Sequence, residues 1–135
     1  MRVLIDTNII LDVLMNRAAF VEASAQVLRY CEVGKIEGII CALSIPNIVY
    51  IMRKELDPDG IKRIVQRLRS IVGIADLKEK DLINAVSLVF SDYEDAVQSA
   101  CAERIGAEVI VTRNVGDFVN SRIPAIKPAE LLERL

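Results

Sequence analysis

The sequence predicts a three-layer α/β fold with a central, mostly parallel sheet. Short apolar runs alternate with segments of helical periodicity. The length of 135 residues suits one compact domain, and a hydrophobic content of 53% is enough to build its core. Alternating strands and helices favour parallel strands that are joined by crossover helices. We therefore expect a single domain over residues 1–135.

Apolar runs and capping residues predict the elements of the first half of the chain. They are a strand over 2–5, a helix over 9–15 capped from Asp6-Thr7-Asn8, a helix over 20–33 ended by Gly34, a strand over 37–42 containing Ile39-Ile40-Cys41, a helix capped by Ser44 that runs to about Leu56 with Pro46 in its first turn, and a helix begun by Asp57-Pro58.

The second half continues the alternation up to the end of the chain. Its predicted elements are a weak strand over 71–75, a helix over 79–90, a helix begun by Ser91-Asp92 and ended by Gly106, a strand over 108–112, a loop, a short strand near Ala125-Ile126, and a terminal helix from Pro128. In such a fold the carboxyl ends of the strands and the amino ends of the helices meet at one edge of the sheet, where open α/β sheets bind ligands.

The charged composition limits the chemistry that is available. The chain has no histidine, which excludes Ser-His-Asp and Cys-His nucleophiles, histidine zinc sites and histidine general bases. Seventeen basic and 19 acidic residues give a net charge of -2. This balance excludes a globally basic nucleic-acid-binding protein, but it allows a nuclease with separated basic and acidic regions.

Cysteine usage and hydropathy predict a cytoplasmic protein. Cys31, Cys41 and Cys101 are widely spaced and lie in apolar runs, which is typical of buried free thiols in a reducing compartment. The longest uncharged stretch, 38–52, contains polar residues and falls short of the roughly 20 apolar residues that span a bilayer. We expect no secretory signal and no membrane segment.

Several polar side chains are predicted to meet at the carboxyl edge of the sheet. They are Asp6 after the first strand, Asn47 in the first turn of a helix, Asp92 and Asp95 at positions i and i+3 of a later helix, and Thr112, Asn114 and Asp117 after the 108–112 strand. Each has an ordinary alternative as a helix cap, a dipole partner or a turn residue. Carboxylates placed together repel each other unless a cation joins them, and hard oxygen ligands suit Mg²⁺ or Mn²⁺.

The same residues carry a resemblance to a known family. In order, the motifs are the strand that ends at Asp6-Thr7-Asn8, Asp92-Tyr93-Glu94-Asp95-Ala96, Val109-Ile110-Val111-Thr112-Arg113-Asn114, and Gly116-Asp117-Phe118. With these intervals the chain resembles the PIN-domain (PilT N-terminal) family of metal-dependent ribonucleases, which includes VapC-like toxins. The resemblance implies a sheet of about five parallel strands, an acidic Mg²⁺ or Mn²⁺ site that cleaves RNA, and a small antitoxin protein as a possible partner.

The resemblance also assigns the acidic residues one by one. Asp6 matches the first acid of the family, and Asp95 matches the acid that opens the later helix. Many members have glutamate where this chain has Asn47, and an aspartate where it has Asn114. The chain resembles a subgroup with Thr-Arg-Asn followed by Asp-Phe, in which Asp117 supplies the later acid.

Roles follow for the remaining residues of these motifs. Asp6, Asp95 and Asp117 are expected to be catalytic and to hold the metal, with Asp92 as a further ligand that replaces part of the lost charge. The orienting residues would be Thr7, Asn8, Asn47, Thr112 and Asn114. Arg113 is the candidate phosphate contact. Asp12 could face the site, but a solvated helix position is the favoured interpretation.

Charge is distributed unevenly along the chain. Residues 53–69 hold six basic and three acidic side chains, whereas residues 76–117 hold four basic and nine acidic ones. A basic helical hairpin could therefore hold an RNA backbone, although a solvated helix face is the ordinary alternative. With 4% aromatic residues, no stacking platform for single strands is expected.

Two further hypotheses concern activity and assembly. Because Asn47 and Asn114 replace acids, the alternative function is a catalytically impaired PIN-like module that binds RNA or a partner. A homodimer is predicted through the helices between Ser44 and Ser70, because apolar residues surround more of the first helix than one buried face needs. These residues are Ile45, Ile48, Val49, Ile51 and Met52.

Overall fold

The computed structural model describes residues 1–135 and contains five strands, seven α-helices and one 3₁₀ helix. The strands are β1 (Arg2–Ile5), β2 (Glu37–Cys41), β3 (Gly73–Ala75), β4 (Val109–Val111) and β5 (Ala125–Ile126). The α-helices are α1 (Thr7–Leu14), α2 (Val21–Glu32), α3 (Ser44–Ile51), α4 (Pro58–Ile71), α5 (Glu79–Val86), α6 (Tyr93–Arg104) and α7 (Pro128–Glu133). The 3₁₀ helix, Val115–Phe118, lies in the loop after β4.

The five strands form one wholly parallel sheet in the order β3-β2-β1-β4-β5. Side chains alternate across β1, as strand geometry requires. Val3 and Ile5 pack in a core with residues of α1, α2, α4 and α7, whereas Leu4 packs in a second core with residues of α6. Helices therefore cover both faces, and the predicted three-layer α/β fold is confirmed.

Capping residues position the helices whose amino ends face the carboxyl edge of the sheet. Asp92 Oδ1 accepts a hydrogen bond from the backbone N–H of Asp95 at 3.1 Å and so begins α6. Asp57 Oδ1 accepts from the N–H of Gly60 at 2.7 Å and begins α4 in the same way. Gly106, at φ +71°, follows α6 in the left-handed conformation that glycine adopts without strain.

Several predicted boundaries are wrong. Helix α3 ends at Ile51 instead of near Leu56, because Asp57 must be extended before Pro58 and the chain turns beforehand. Helix α5 ends at Val86 instead of Phe90, and the predicted loop after β4 contains the 3₁₀ helix. Ser44 does not cap α3; its hydroxyl shares a 2.7 Å hydrogen bond with Thr7 Oγ1 instead.

The cysteines lie as predicted. All three are buried and free, and Cys41 and Cys101 are fully inaccessible. Burial raises the pKa of the Cys31 thiol to about 12, which makes it inert at neutral pH. No helix of the structure combines the length and the apolar character needed to cross a membrane.

Candidate functional site

A polar cavity of about 400 Å³ opens at the carboxyl edge of the sheet. Its walls come from the end of β1, from α3, from the first turns of α1 and α6, and from the loop after β4. It is lined by Asp6, Thr7, Asn8, Asn47, Tyr50, Ile51, Asp92, Glu94, Asp95, Gln98, Asn114 and Asp117. Five of these side chains are carboxylates and none is basic, so the cavity is strongly anionic.

Asp6 forms the floor of the cavity and connects three elements. Its side chain is almost fully buried. Oδ1 accepts a 3.0 Å hydrogen bond from Gln98 Nε2 on α6, and Oδ2 accepts a 2.8 Å bond from Thr112 Oγ1 after β4. Burial raises the pKa of Asp6, while these two donors act in the opposite direction. Although Asp6 occupies the cap position of α1, its carboxylate is not used as a helix cap.

Asp95 lies in the first turn of α6, at the centre of the acidic cluster. Burial is the main cause that raises the pKa of its carboxyl to about 7, and the neighbouring charges of Asp6, Asp92, Asp117 and Glu94 contribute to this rise in that order. A raised carboxyl pKa beside several other carboxylates, in a cavity, is a common property of functional sites. Asp92 combines the two predicted interpretations, since it caps α6 and also lines the cavity.

The loop after β4 brings two predicted residues into the cavity. Thr112 Oγ1 accepts a hydrogen bond from the N–H of Asn114 at 3.0 Å, and Asp117 N–H donates to the Asn114 carbonyl at 2.9 Å. The loop therefore turns back over the sheet edge, so that both Asn114 and Asp117 line the cavity.

Helix α3 supplies the opposite wall. Asn47 Nδ2 donates a 3.1 Å hydrogen bond to Glu94 Oε2, which links α3 to the first turn of α6. Thr7 and Ser44 join α1 to α3 through their hydroxyl groups. Asn47 thus faces the acidic cluster as predicted, with its amide nitrogen directed at a carboxylate.

Two predicted site residues do not line the cavity. Thr112 is fully buried behind Asp6. Arg113 points away from the cavity: its Nε donates to Oδ1 and Oδ2 of Asp12 at 3.2 and 3.0 Å, and its guanidinium lies 4.2 Å from the centre of the Phe20 ring. The favoured interpretation of Asp12 as a solvated residue is wrong, because this carboxylate is fully buried between Arg113 and Arg17.

Three further residues line the cavity that the sequence did not assign to it: Glu94, Gln98 and Tyr50. Helical spacing could have found Gln98, because it follows Asp95 by three positions and Glu94 by four. Tyr50 is 65% exposed at the cavity, and Arg53 stacks 4.2 Å from its ring centre. The aromatic content of the chain says nothing about where its few aromatic residues lie, so it could not place Tyr50 at the cavity.

The donor set of the cavity fits a hard divalent cation. No three acidic or thiol side chains converge tightly enough to enclose an ion by themselves. Neighbouring carboxylates repel each other, and a bound cation would offset this repulsion. The oxygens present are carboxylate, amide and hydroxyl oxygens, which Mg²⁺ and Mn²⁺ prefer over softer ligands.

The sequence profile described as PIN domain matches residues 2–116. The chain belongs to the PIN-domain family. This PIN domain is also similar to a protein named Ribonuclease VapC1 from Aquifex aeolicus (strain VF5). The two are 23% identical over 138 residues, which cover 98% of this chain and 94% of the relative.

Solved structures share the fold of this PIN domain. VapBC2 from Rickettsia felis, bound to a DNA fragment from its promoter, superposes with a TM-score of 0.72 at 14% identity, covering 94% of this chain and 98% of that one. A toxin-antitoxin complex from Klebsiella pneumoniae gives a TM-score of 0.70 at 20% identity, covering 93% and 97%. At these identities the likeness concerns the fold.

Proposed function

We propose that this PIN domain is a metal-dependent endoribonuclease and the toxin component of a toxin-antitoxin pair. One observation carries the proposal: five carboxylates line a single cavity, and the central one, Asp95, has a pKa raised to about 7. Clustered carboxylates repel each other, and a bound cation would offset this repulsion. The similarity to Ribonuclease VapC1 supports RNA as the substrate.

Some residues of the cavity would bind the metal, and others would orient its ligands, water or the substrate. Asp6, Asp95 and Asp117 would hold Mg²⁺ or Mn²⁺, with Asp92 as a further ligand. A cation held there would act as a Lewis acid, which would activate water and stabilise charge on the phosphodiester. Thr112 fixes the direction of the Asp6 carboxylate. Asn8, Asn47 and Asn114 line the cavity beside these acids and can orient water or the substrate through neutral amides.

Substrate binding would use positive charge outside the anionic cavity. Lys62, Arg63, Arg67 and Arg69 on α4 are exposed and can contact phosphates without competing for the metal site. Arg113 stays a candidate phosphate contact, although in this structure it is paired with Asp12.

The proposed partners are an antitoxin and a second copy of the chain. The structural neighbour from Klebsiella pneumoniae is named as a toxin-antitoxin complex, which supports a small antitoxin protein. Cytoplasmic action is consistent with the three reduced thiols. A second candidate function is an inactive PIN-like module that binds RNA or a partner, and the neutral Asn47 and Asn114 at acidic positions of the family favour it.

RNA cleavage under controlled metal conditions separates the two functions. The purified protein should cut RNA with Mg²⁺ or Mn²⁺, lose this activity in EDTA, and regain it when the metal is restored. Zn²⁺ should substitute poorly, because the cavity has no histidine or thiol. Cleavage that continues in EDTA would contradict the metal mechanism. RNA binding without any cleavage in Mg²⁺ or Mn²⁺ would favour the inactive module.

A further inference from the structure

Gln98 has an unusual environment on α6. Its side chain is buried, with 4% of the residue exposed, and Nε2 donates a 3.0 Å hydrogen bond to Asp6 Oδ1. The other amide atom, Oε1, is buried without any hydrogen-bond partner. No other buried side-chain oxygen or nitrogen of the chain lacks a partner.

The unpaired oxygen shows which contact determines the amide orientation. A buried acceptor without a donor destabilises a fold, so a structural glutamine would be expected to satisfy both of its amide atoms. Turning the amide by half a rotation would direct Oε1 at the Asp6 carboxylate, and the two acceptors would repel each other. The observed orientation leaves Oε1 unpaired but keeps a donor on Asp6.

The donor from Gln98 completes the restraint on the Asp6 carboxylate. Thr112 Oγ1 holds Oδ2 at 2.8 Å from β4, while Gln98 holds Oδ1 from α6. With one donor on each oxygen, rotation of the carboxyl group about its Cβ–Cγ bond would break both hydrogen bonds. These two donors use one lone pair of each oxygen, and a carboxylate oxygen has a second one that can accept a cation.

We propose that Gln98 is a positioning residue that fixes the Asp6 carboxylate for divalent-cation binding. The orientation that this role requires leaves the carbonyl oxygen of Gln98 without a hydrogen-bond partner. The inference rests on the proposed function, because it assigns Asp6 to a metal site. Groups that orient metal ligands typically change metal affinity by about 10- to 100-fold when they are removed. Gln98 acts through Asp6 and need not touch the metal or the RNA.

Calorimetric titration with Mn²⁺ tests the proposal in the Gln98→Met variant, which keeps the length of the side chain without its polar atoms. We expect Mn²⁺ affinity to fall about tenfold or more. The melting temperature in EDTA should change little, because the variant removes the unpaired Oε1 but also leaves Asp6 Oδ1 without its donor. Gln66→Met, at an exposed position of α4, is the matched control and should bind Mn²⁺ like the wild type.

Side-chain amide resonances give a second readout in the wild-type protein. The chain has three glutamines, and only Gln98 is buried. Titration with Mg²⁺ should shift the Gln98 Nε2 resonances with the dissociation constant that calorimetry gives for Mg²⁺, while those of Gln66 stay unchanged. The Gln98→Met spectrum assigns the signal by its loss. Because this readout uses the wild-type protein, it tests the role of Gln98 even if Gln98→Met is less stable in EDTA.

The outcomes separate this proposal from the proposed function. If wild type binds Mn²⁺ and Gln98→Met binds it within twofold, the role of Gln98 is wrong and the metal site stands. Gln98 resonances that do not respond to Mg²⁺ would also overturn the role. If the wild-type protein binds no Mn²⁺, both proposals fail.

Discussion

Arg113 Nε donates hydrogen bonds to both carboxylate oxygens of Asp12, at 3.2 and 3.0 Å, and so fastens the loop after β4 to helix α1. The preceding residue, Thr112, fastens the same loop to Asp6. Two neighbouring side chains thus hold the loop that carries Asn114 and Asp117 into the acidic cavity. The Asp12 ion pair supports the geometry of the site from outside it.

The first prediction concerns the stability that Asp12 provides. Asp12→Ala should reduce the free energy of unfolding by about 3 kcal/mol, because breaking a buried ion pair leaves its partners without a counter-charge. Arg17 and Arg113 would both lose this carboxylate. Urea titration measures the change. Glu55→Ala removes an exposed carboxylate and is the control, with a change near zero. A loss below 1 kcal/mol for Asp12→Ala would show that the pair does not hold the loop.

The second prediction asks which residue supplies the later acid. Asp117→Asn should weaken metal binding and abolish most RNA cleavage, because a neutral amide cannot offset the charge of a cation. Asn114→Ala should reduce cleavage less, since it removes only an orienting group. Both residues line the cavity, so the pair is matched in position.

Thermal unfolding should confirm that both variants fold. Asp117 is exposed, and its backbone N–H bond to Asn114 does not depend on the side chain. Normal cleavage by Asp117→Asn together with an inactive Asn114→Ala would reverse the assignment.

Much of the fold could be predicted because its signals are local. The apolar runs of β1 and β4, the caps at Asp57 and Asp92, and Gly106 after α6 each act within a few residues. The alternation of strands with helices along the chain then predicts a parallel sheet. The ends of the strands predict the edge of the sheet at which Asp6 and Asp117 lie. The end of α3 was missed because the turn over residues 52–55, before the extended Asp57, leaves no distinct signal in the sequence.

The remainder of the site depends on contacts between distant parts of the chain. Asp12 looked solvated because nothing near it in sequence shows that Arg113, 101 residues later, covers it. Gln98 is 92 residues from Asp6, and its unpaired oxygen is visible only in three dimensions. The residue types in the sequence predicted which carboxylates form the site. The residues that hold these carboxylates in place could be identified only in the structure.

The third prediction is a pH dependence of the metal-free protein. The pKa of Asp95 is raised from 3.8 in the unfolded chain to about 7 in the fold, so the folded state holds this proton more tightly. The resulting stabilisation is complete below the unfolded pKa and is lost as the pH rises through about 7. The melting temperature in a chelator should therefore fall between pH 6 and pH 8.

The Asp95→Asn variant is the control for this pH effect. It removes the titrating group, so the part of the fall that is due to Asp95 should disappear. The variant should also melt higher than wild type at pH 8, because four neighbouring carboxylates no longer repel a fifth charge. A wild-type melting temperature that rises from pH 6 to pH 8 would contradict the electrostatics described here.

The fourth prediction concerns the homodimer. Helix α3 buries Ile48 in the core of its own chain, and Met52 directly after the helix is buried there too, whereas Ile51 is 44% exposed. If a second copy covers this helix, sedimentation at micromolar concentration should give a dimer, and Ile51→Arg should give a monomer. Val33→Arg places the same charge at an exposed apolar residue after α2 and should leave the dimer intact. A monomeric wild type would remove the dimer prediction.

Titration of the metal-free protein with Mn²⁺, followed by calorimetry at pH 8 for wild type and Asp95→Asn, tests the central claim most directly. The claim is that Asp95 and the carboxylates around it form a divalent-cation site, and that cation binding requires the negative charge of Asp95. We predict saturable binding to the wild type and binding below detection for Asp95→Asn, with both proteins folded in the chelator. A wild type that binds no Mn²⁺, or an Asp95→Asn variant that binds it equally tightly, would contradict the claim.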